Sequence, residues 1–246
     1  ERQGKKYTLI DTAGIRRRGK TKGMVEKFSV VKSLQAIVDS NLVVLMVDAQ
    51  KGIVEQDLHL LGYIIEAGRA MVIVVNKWDD MDRERKDRIK SEIHRRFTFV
   101  DFARIHFISA LNGTGVGGLY RSIHAAYNSA RKKLTTNRLT QVLQDAVADH
   151  APPMVNGRRI KLRYAHAGGK NPPTIVIHGK QSEKLPNHYS RYLEKTFRKN
   201  LKLVGTPVRI ELRNDDNPYV KGEEHLTNQQ IARKRKIKKN RKFLKR

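Results

Sequence analysis

Hydrophobic positions in the first half of the chain come in short blocks separated by amphipathic stretches. Residues 7–10 (Tyr-Thr-Leu-Ile) predict a short strand running into Asp11-Thr12-Ala13-Gly14. Apolar side chains at Val30, Val31, Leu34, Ile37 and Val38 have the spacing of one helix face over residues 24–38. Residues 42–47 are continuously apolar and rich in β-branched side chains, as expected of a strand buried on both faces. A helix is predicted over 55–67, with Gly68 as its C-terminal stop. A second buried strand is predicted over 71–75, a charged helix over 82–97, a third strand over 106–108 and a further helix over 116–133. Strands and helices alternating in this way predict a parallel sheet with crossover helices.

The pattern changes at residues 135–138, where a domain boundary is expected. A helix is predicted over 139–147, ending near His150 before Pro152-Pro153. Residues 159–164 alternate basic and apolar side chains, with Ile160, Leu162 and Tyr164 expected on one face. Residues 168–173 predict a turn and 174–178 a second strand. Leu185, Tyr189, Leu193, Phe197 and Leu201 mark one face of a helix, and Val208, Ile210 and Leu212 a third strand. Helix, strand, strand, helix, strand describes a small α+β domain. Little periodicity follows residue 215.

Charge narrows the partners. The 51 Lys+Arg against 24 Asp+Glu give a formal net charge of +27, and from Thr136 onward 26 basic residues face 9 acidic ones. Such an excess attracts polyanions, nucleic acid first and an anionic membrane surface second. No cysteine is present, which excludes disulfides and thiolate metal sites. The nine histidines show neither metal-ligand spacing nor a Ser/His/Asp pattern, and are read as structural or surface residues. No apolar run approaches the ~20 residues a bilayer requires, so a cytoplasmic chain without a membrane partner is expected. The chain begins at Glu1 and not at Met, so an upstream segment is expected too.

Ligands of parallel sheets bind beyond the carboxyl ends of the strands, and three polar clusters are expected there. In Asn76-Lys77-Trp78-Asp79, a carboxylate at the edge of guanine can accept from both its ring N–H and its exocyclic amine, a donor pair adenine lacks. The Asn amide can bridge loops, and the Lys stem can lie along the ring. The plainer reading is a polar strand end, with Asp79, Asp80 and Asp82 suited to starting a helix. In Asp11-Thr12-Ala13-Gly14, the Asp can hold Mg²⁺ through water and the Gly can bring an N–H to a terminal phosphate. Ser109-Ala110-Leu111 would offer a backbone N–H to the guanine carbonyl.

These three segments resemble the third, fourth and fifth signature motifs of the translation-factor-type GTPases. The stretch Asp11-Thr12-Ala13-Gly14-Ile15-Arg16-Arg17-Arg18-Gly19-Lys20, with Val25-Glu26-Lys27-Phe28-Ser29, more particularly resembles the second G domain of the Der (EngA) family. Those bacterial GTPases carry two tandem G domains and a KH-like C-terminal domain. The resemblance implies an α/β fold: a P-loop GTPase-type parallel sheet lacking its first strand and phosphate loop over residues 1–135, then a small α+β KH-like domain over 136–215. A basic tail of 216–246 follows.

The resemblance also implies a GTPase of ribosome biogenesis acting in assembly of the large (50S) subunit. Implied ligands are GTP/GDP and Mg²⁺; implied partners are the large subunit or its precursor, ribosomal RNA and an upstream G domain. It assigns nucleotide contacts to Asp11, Thr12, Ala13, Gly14, Asn76, Lys77, Asp79, Ser109, Ala110 and Leu111, with Asp11 on the metal through water. No G-x-x-x-x-G-K-[ST] phosphate loop is read in the sequence, and the resemblance places that loop upstream of Glu1, so this chain alone is expected to be inactive. The alternative is a non-catalytic RNA- or ribosome-binding module. Ile15 follows Gly14 where many GTPases place a water-orienting Gln, which leaves the catalytic group open.

A KH domain normally clamps RNA with a GXXG loop, and the C-terminal part contains none. Ribosomal RNA contact is therefore expected through Arg158, Arg159, Lys161 and Arg163. The tail, with Arg233, Lys234, Arg235 and Lys236, is expected to be an interaction arm. The plainer readings are a solvated strand face and a solubilising tail. A membrane-surface GTPase would need amphipathic segments with aromatic anchors, and none is read.

Overall fold

A continuous apolar run can be buried only where both faces of a sheet are covered, and the first half of the chain does this with one strand above all. The computed structural model describes residues 4–11, 24–155 and 157–214, with the backbone alone for 24–31. Its first elements are α1 (Met24–Asp39), β1 (Leu42–Asp48), α2 (Glu55–Glu66), β2 (Ala70–Asn76), α3 (Arg83–Arg96), β3 (Arg104–Phe107) and α4 (Val116–Ala130). The strands form a parallel sheet in the order β1-β2-β3. Residues 71–75 of the central β2 are at most 1% exposed.

Helix ends follow the sequence closely. Asp82 caps α3, its side chain accepting from the Arg85 N–H at 2.8 Å, which satisfies one of the orphan donors of the first turn. Beyond α2 the chain turns through Gly68 at φ +73°, the left-handed conformation in which glycine pays no Cβ penalty.

The second half contains α5 (Thr136–Asp149), the short pair β4 (Met154–Val155) and β5 (Arg158–Arg159), β6 (Lys161–Gly169), β7 (Thr174–Lys180), α6 (Asn187–Asn200) and β8 (Arg209–Asn214). Strand β7 runs antiparallel to β6 and parallel to β8. Helices α5 and α6 cover one face of this sheet. The core they enclose contains Leu139, Leu143, Ile160, Ile175, Ile177, Tyr189, Leu193 and Phe197, each 1% exposed or less. The 185–201 helical stripe is buried throughout, with Leu185 and Leu201 flanking α6.

Three expectations are corrected. Residues 7–10 form no strand: Leu9 is 90% exposed and Ile10 54%, and no described strand lies alongside to pair with them. Residues 168–173 are not all turn, because β6 continues to Gly169. Tyr164 does not share a face with Ile160 and Leu162. The pairing of β6 with β7 slips between Leu162 and Tyr164, which inserts Arg163 as a bulge and turns Tyr164 to the opposite face.

The two halves are joined by more than the chain. The loop after α6 reaches the start of β2: Gly205 O accepts from the Met71 N–H at 2.7 Å, and the Gly205 N–H donates to Phe102 O at 2.8 Å. Gly205 has φ +67°, and a Cβ there would lie 2.4 Å from that of Ala126, so no other residue fits without displacing α4. Lys132 Nζ donates to Leu201 O at 2.8 Å, and Arg198 pairs with Asp101 at 3.3 Å. The second half is therefore held at the amino-terminal end of the first sheet. The described residues leave the opposite rim open.

Candidate functional site

The open rim is built by register. Asp48 at the end of β1 lies beside Asn76 at the end of β2, and Val75 beside Phe107 near the end of β3. The Asn76 side chain then ties two loops together. Its Oδ1 accepts from the Ala110 N–H at 2.9 Å, and its Nδ2 lies 3.8 Å from Met46 Sδ. Ser109 is held by its N–H to Thr114 O at 3.0 Å, and its hydroxyl accepts from the Asn112 N–H at 3.1 Å.

Asp79 projects from this frame, exposed, with one carboxylate oxygen accepting from Asn112 Nδ2 at 3.0 Å. The Ser109 hydroxyl, and then its own backbone N–H, hold its pKa below the usual carboxylate range. The group is an anion with its outer edge turned to solvent, which suits pairing with two adjacent N–H donors.

Lys77 has φ +63°, an uncommon conformation for a residue with a Cβ. Its ammonium is drawn back along the rim, 2.8 Å from Asp48 Oδ2 and 3.5 Å from Gln50 Oε1. Burial pushes the Asp48 carboxyl up, but the hydrogen bonds from Lys77 and the Gln50 N–H outweigh it, and the net shift is downward. Trp78 turns inward, its ring 4.3 Å from that of Phe107, with Lys86 and Lys90 about its face at 5.8 and 5.9 Å.

Of the residues singled out in the sequence, Asn76, Lys77, Asp79, Ser109 and Ala110 come together at this rim. Leu111 stands 90% exposed beside them. Of the backbone N–H groups of Ser109-Ala110-Leu111, one of which was expected to reach a base carbonyl, that of Ala110 is here engaged by Asn76 Oδ1. Asp11 is exposed and outside any element, and Thr12, Ala13 and Gly14 lie outside the described residues. No group of three or more metal-ligating side chains occurs among the described residues. A magnesium ion held by one carboxylate through water and by substrate phosphates would need no such group.

Sequence reasoning missed Asp48, Gln50 and Asn112. Asp48 carried a signal, since it ends a buried strand on the same rim; Asn112 carried none.

The phosphate loop needs a correction of its own. Gly14-Ile15-Arg16-Arg17-Arg18-Gly19-Lys20-Thr21 does spell G-x-x-x-x-G-K-T, so the string is present in the chain. Its first glycine is also the last residue of Asp-Thr-Ala-Gly. A working phosphate loop follows a buried strand, and residues 7–10 are not one. Residues 12–23 lie outside those described.

In the second half, Arg158 and Arg159 are exposed on β5, Lys161 opens β6 and Arg163 is the bulge. Arg233, Lys234, Arg235 and Lys236 lie outside the described residues. His106 behaves as a structural histidine: its Nε2 is 2.7 Å from Ser122 Oγ, and burial lowers its pKa.

Comparison with known proteins bears on both halves. The Elongation factor Tu GTP binding domain family matches residues 1–153, and the KH-domain-like family of EngA bacterial GTPase enzymes, C-terminal, matches 133–213. The chain is 62% identical over 237 residues to GTPase Der of Ectopseudomonas mendocina, and 59% identical over 245 residues to GTPase Der of Hahella chejuensis. It belongs to the Der (EngA) family.

The matches cover 96% and 100% of this chain but 48% and 52% of those two relatives, so it spans about half the length of the Der proteins it matches. What it holds is their C-terminal part, an EF-Tu-type GTP domain joined to the EngA KH-like domain. A solved structure of Era in complex with MgGDPNP and nucleotides 1506–1542 of 16S ribosomal RNA overlaps 83% of the chain at 21% identity. Its TM-score is 0.42, too slight an overlap to speak for ligand or partner. No described helix is long and apolar enough to cross a membrane.

Proposed function

We propose that this chain is the second G domain, residues 1–135, and the KH-like domain, 136–215, of a cytoplasmic Der GTPase, followed by a basic arm of 216–246. The parent protein binds and hydrolyses GTP and acts in assembly of the large ribosomal subunit, docking through ribosomal RNA. The observation that carries the reading is the rim itself. Asn76 locks the Ser109-Ala110 loop to β2, and Asn112 steadies an ionised Asp79 whose outer edge is open. A site built to hydrogen-bond one base edge can reject analogues by roughly 10⁴–10⁵.

Within this reading Asp11, Thr12, Ala13 and Gly14 approach the γ-phosphate, with Mg²⁺ held by Asp11 through water, and the phosphate cradle is supplied by residues upstream of Glu1. Strand β1 is an edge of the described sheet, and that edge is where the missing strand would lie, between β1 and residues 7–10. RNA contact falls to Arg158, Arg159, Lys161, Arg163 and the arm with Arg233, Lys234, Arg235 and Lys236.

The test is co-sedimentation of the parent-length protein with large-subunit particles across a salt series, with a non-hydrolysable GTP analogue or its ATP counterpart. Association should depend on the guanine analogue. Log affinity should fall with log salt by roughly 0.7–0.9 per phosphate neutralised, less steeply once 233–246 are removed. Absence from the particles at low salt would end the ribosome assignment.

A second reading, a non-catalytic RNA-binding module, is favoured for the isolated chain because its described residues supply a base-reading rim and no phosphate cradle. The purified 246-residue chain should hydrolyse GTP no faster than buffer. Turnover that disappears in Lys20→Ala would instead make residues 14–21 a working phosphate loop.

A further inference from the structure

The bulge at Arg163 has a consequence for the face it exposes. Side chains alternate along a strand, and Ala165, Ile175 and Ile177 point into the helix-covered core. Tyr164 and His166 of β6, with Thr174, Val176, His178 and Lys180 of β7, therefore lie on the other face. Three of these are rings, and they cluster. Tyr164 and His178 are stacked with centroids 4.5 Å apart and planes 5° from parallel, and His166 lies beside the pair, 5.2 Å from His178 and 6.4 Å from Tyr164. Tyr164 is 40% exposed.

Cations flank the cluster. Lys161 is paired in register with Lys180 on the far side of Tyr164 from His166. On β8, Arg213 lies beside His178, while Arg209, beside Thr174, donates to the Glu66 carbonyl, with Glu211 the one acid between them. Glu211 is answered by Arg213 at 3.5 Å. Ring faces beside a surplus of positive charge are what an unpaired nucleic-acid strand requires. Its bases need flat partners to stack on, and its phosphates need cations alongside. A duplex keeps its bases stacked inside and cannot use the rings.

Resting on the reading of the KH-like half as an RNA-contacting domain, we propose that the Tyr164 end of this sheet face binds single-stranded RNA, with a base stacking on the exposed Tyr164 ring of the Tyr164–His178 pair. The cations at Lys161, Lys180 and Arg213 hold the flanking phosphates. Recognition is then of exposed bases in a loop or unpaired segment, not of helix shape, and it needs no GXXG loop.

The experiment uses the whole 246-residue chain with two fluorescein-labelled RNA probes, a 12-nucleotide oligouridylate and a 12-base-pair duplex, titrated across a salt series. Tyr164→Ala should weaken oligouridylate binding about five- to a hundredfold, the range expected for one lost base stack. It should leave the salt slope and duplex affinity unchanged, because no charge is removed. Tyr164→Phe keeps the ring and should bind like the unaltered chain, which guards against a folding artefact. Lys161→Ala with Lys180→Ala should weaken both probes and flatten the slope. Unchanged oligouridylate affinity in Tyr164→Ala would overturn stacking while leaving the RNA reading intact. An equal loss on both probes would also overturn it. No binding of either probe by the unaltered chain would overturn the RNA reading and this proposal with it.

Discussion

The two sheets of this chain are closed to different degrees. In the KH-like half, helices α5 and α6 seal one face, and Leu139, Leu143, Ile175, Ile177, Leu193 and Phe197 are each at most 1% exposed. In the G half, β2 is sealed just as tightly, yet its neighbour β1 leaves Val44 and Met46 38% and 55% exposed, and Leu9 and Ile10 lie open to solvent. The KH-like half carries a complete core of its own. Among the described residues, the G half has one sealed strand and a partly covered neighbour. On the proposed reading, base recognition needs only the ends of β2 and β3 and the loops beyond them, so it does not depend on how far β1 is covered.

Breaking that comparison starts with the sealed core. Phe197→Ala should cost about 3–5 kcal/mol in denaturant unfolding of the KH-like half, through lost burial and the cavity left behind. A cost below ~1 kcal/mol would show that this core is not closed.

The next largest effect is alkaline. Burial raises the Tyr189 phenol to about 12, and its hydroxyl donates to His150 O. Because the folded pKa lies above the unfolded value near 10, the neutral phenol contributes stability in full below pH 10. That contribution falls away as pH rises from 10 toward 12, by on the order of 2–3 kcal/mol. In Tyr189→Phe, unfolding midpoints measured from pH 9 to 12 should lose most of this slope. An unchanged slope would place the alkaline sensitivity elsewhere.

The smallest effect sharpens the contrast within the G half. Val74→Thr at 0% exposure buries a hydroxyl in the central strand and should cost roughly 1–3 kcal/mol. Val44→Thr, the same chemical change on β1, should stay within about 0.5 kcal/mol. Equal costs would mean that β1 is as well covered as β2.

Much of this contrast was legible in the sequence, and the failures have physical causes. Residues 42–47 and 71–75 were readable as strands because continuous β-branched runs have few other uses. Residues 7–10, Tyr-Thr-Leu-Ile, also favour a strand, but a strand exists only if something pairs with it, and composition does not name the partner. Asn76, Lys77 and Asp79 were legible because their spacing is fixed by one strand end. Asn112 was not, since its role depends on a loop folding back across more than thirty residues. Tyr164 was assigned to the wrong face because alternation assumes an unbroken register, and nothing in residues 159–164 announces the bulge at Arg163. That one slip hid the ring cluster on the sheet face away from the helices.

The central claim is that the β2–β3 rim reads guanine through Asp79, and exchanging the base tests it most directly. Asp79→Asn in the parent-length protein replaces an acceptor with a side chain that also donates, which suits xanthine with its carbonyl in place of the amine. Calorimetric titration should show one GDP site weakened and a new xanthosine diphosphate site of comparable affinity that the unaltered protein lacks. Unchanged GDP binding at both G domains, with no xanthosine diphosphate site gained, would remove Asp79 from the base site and contradict the account.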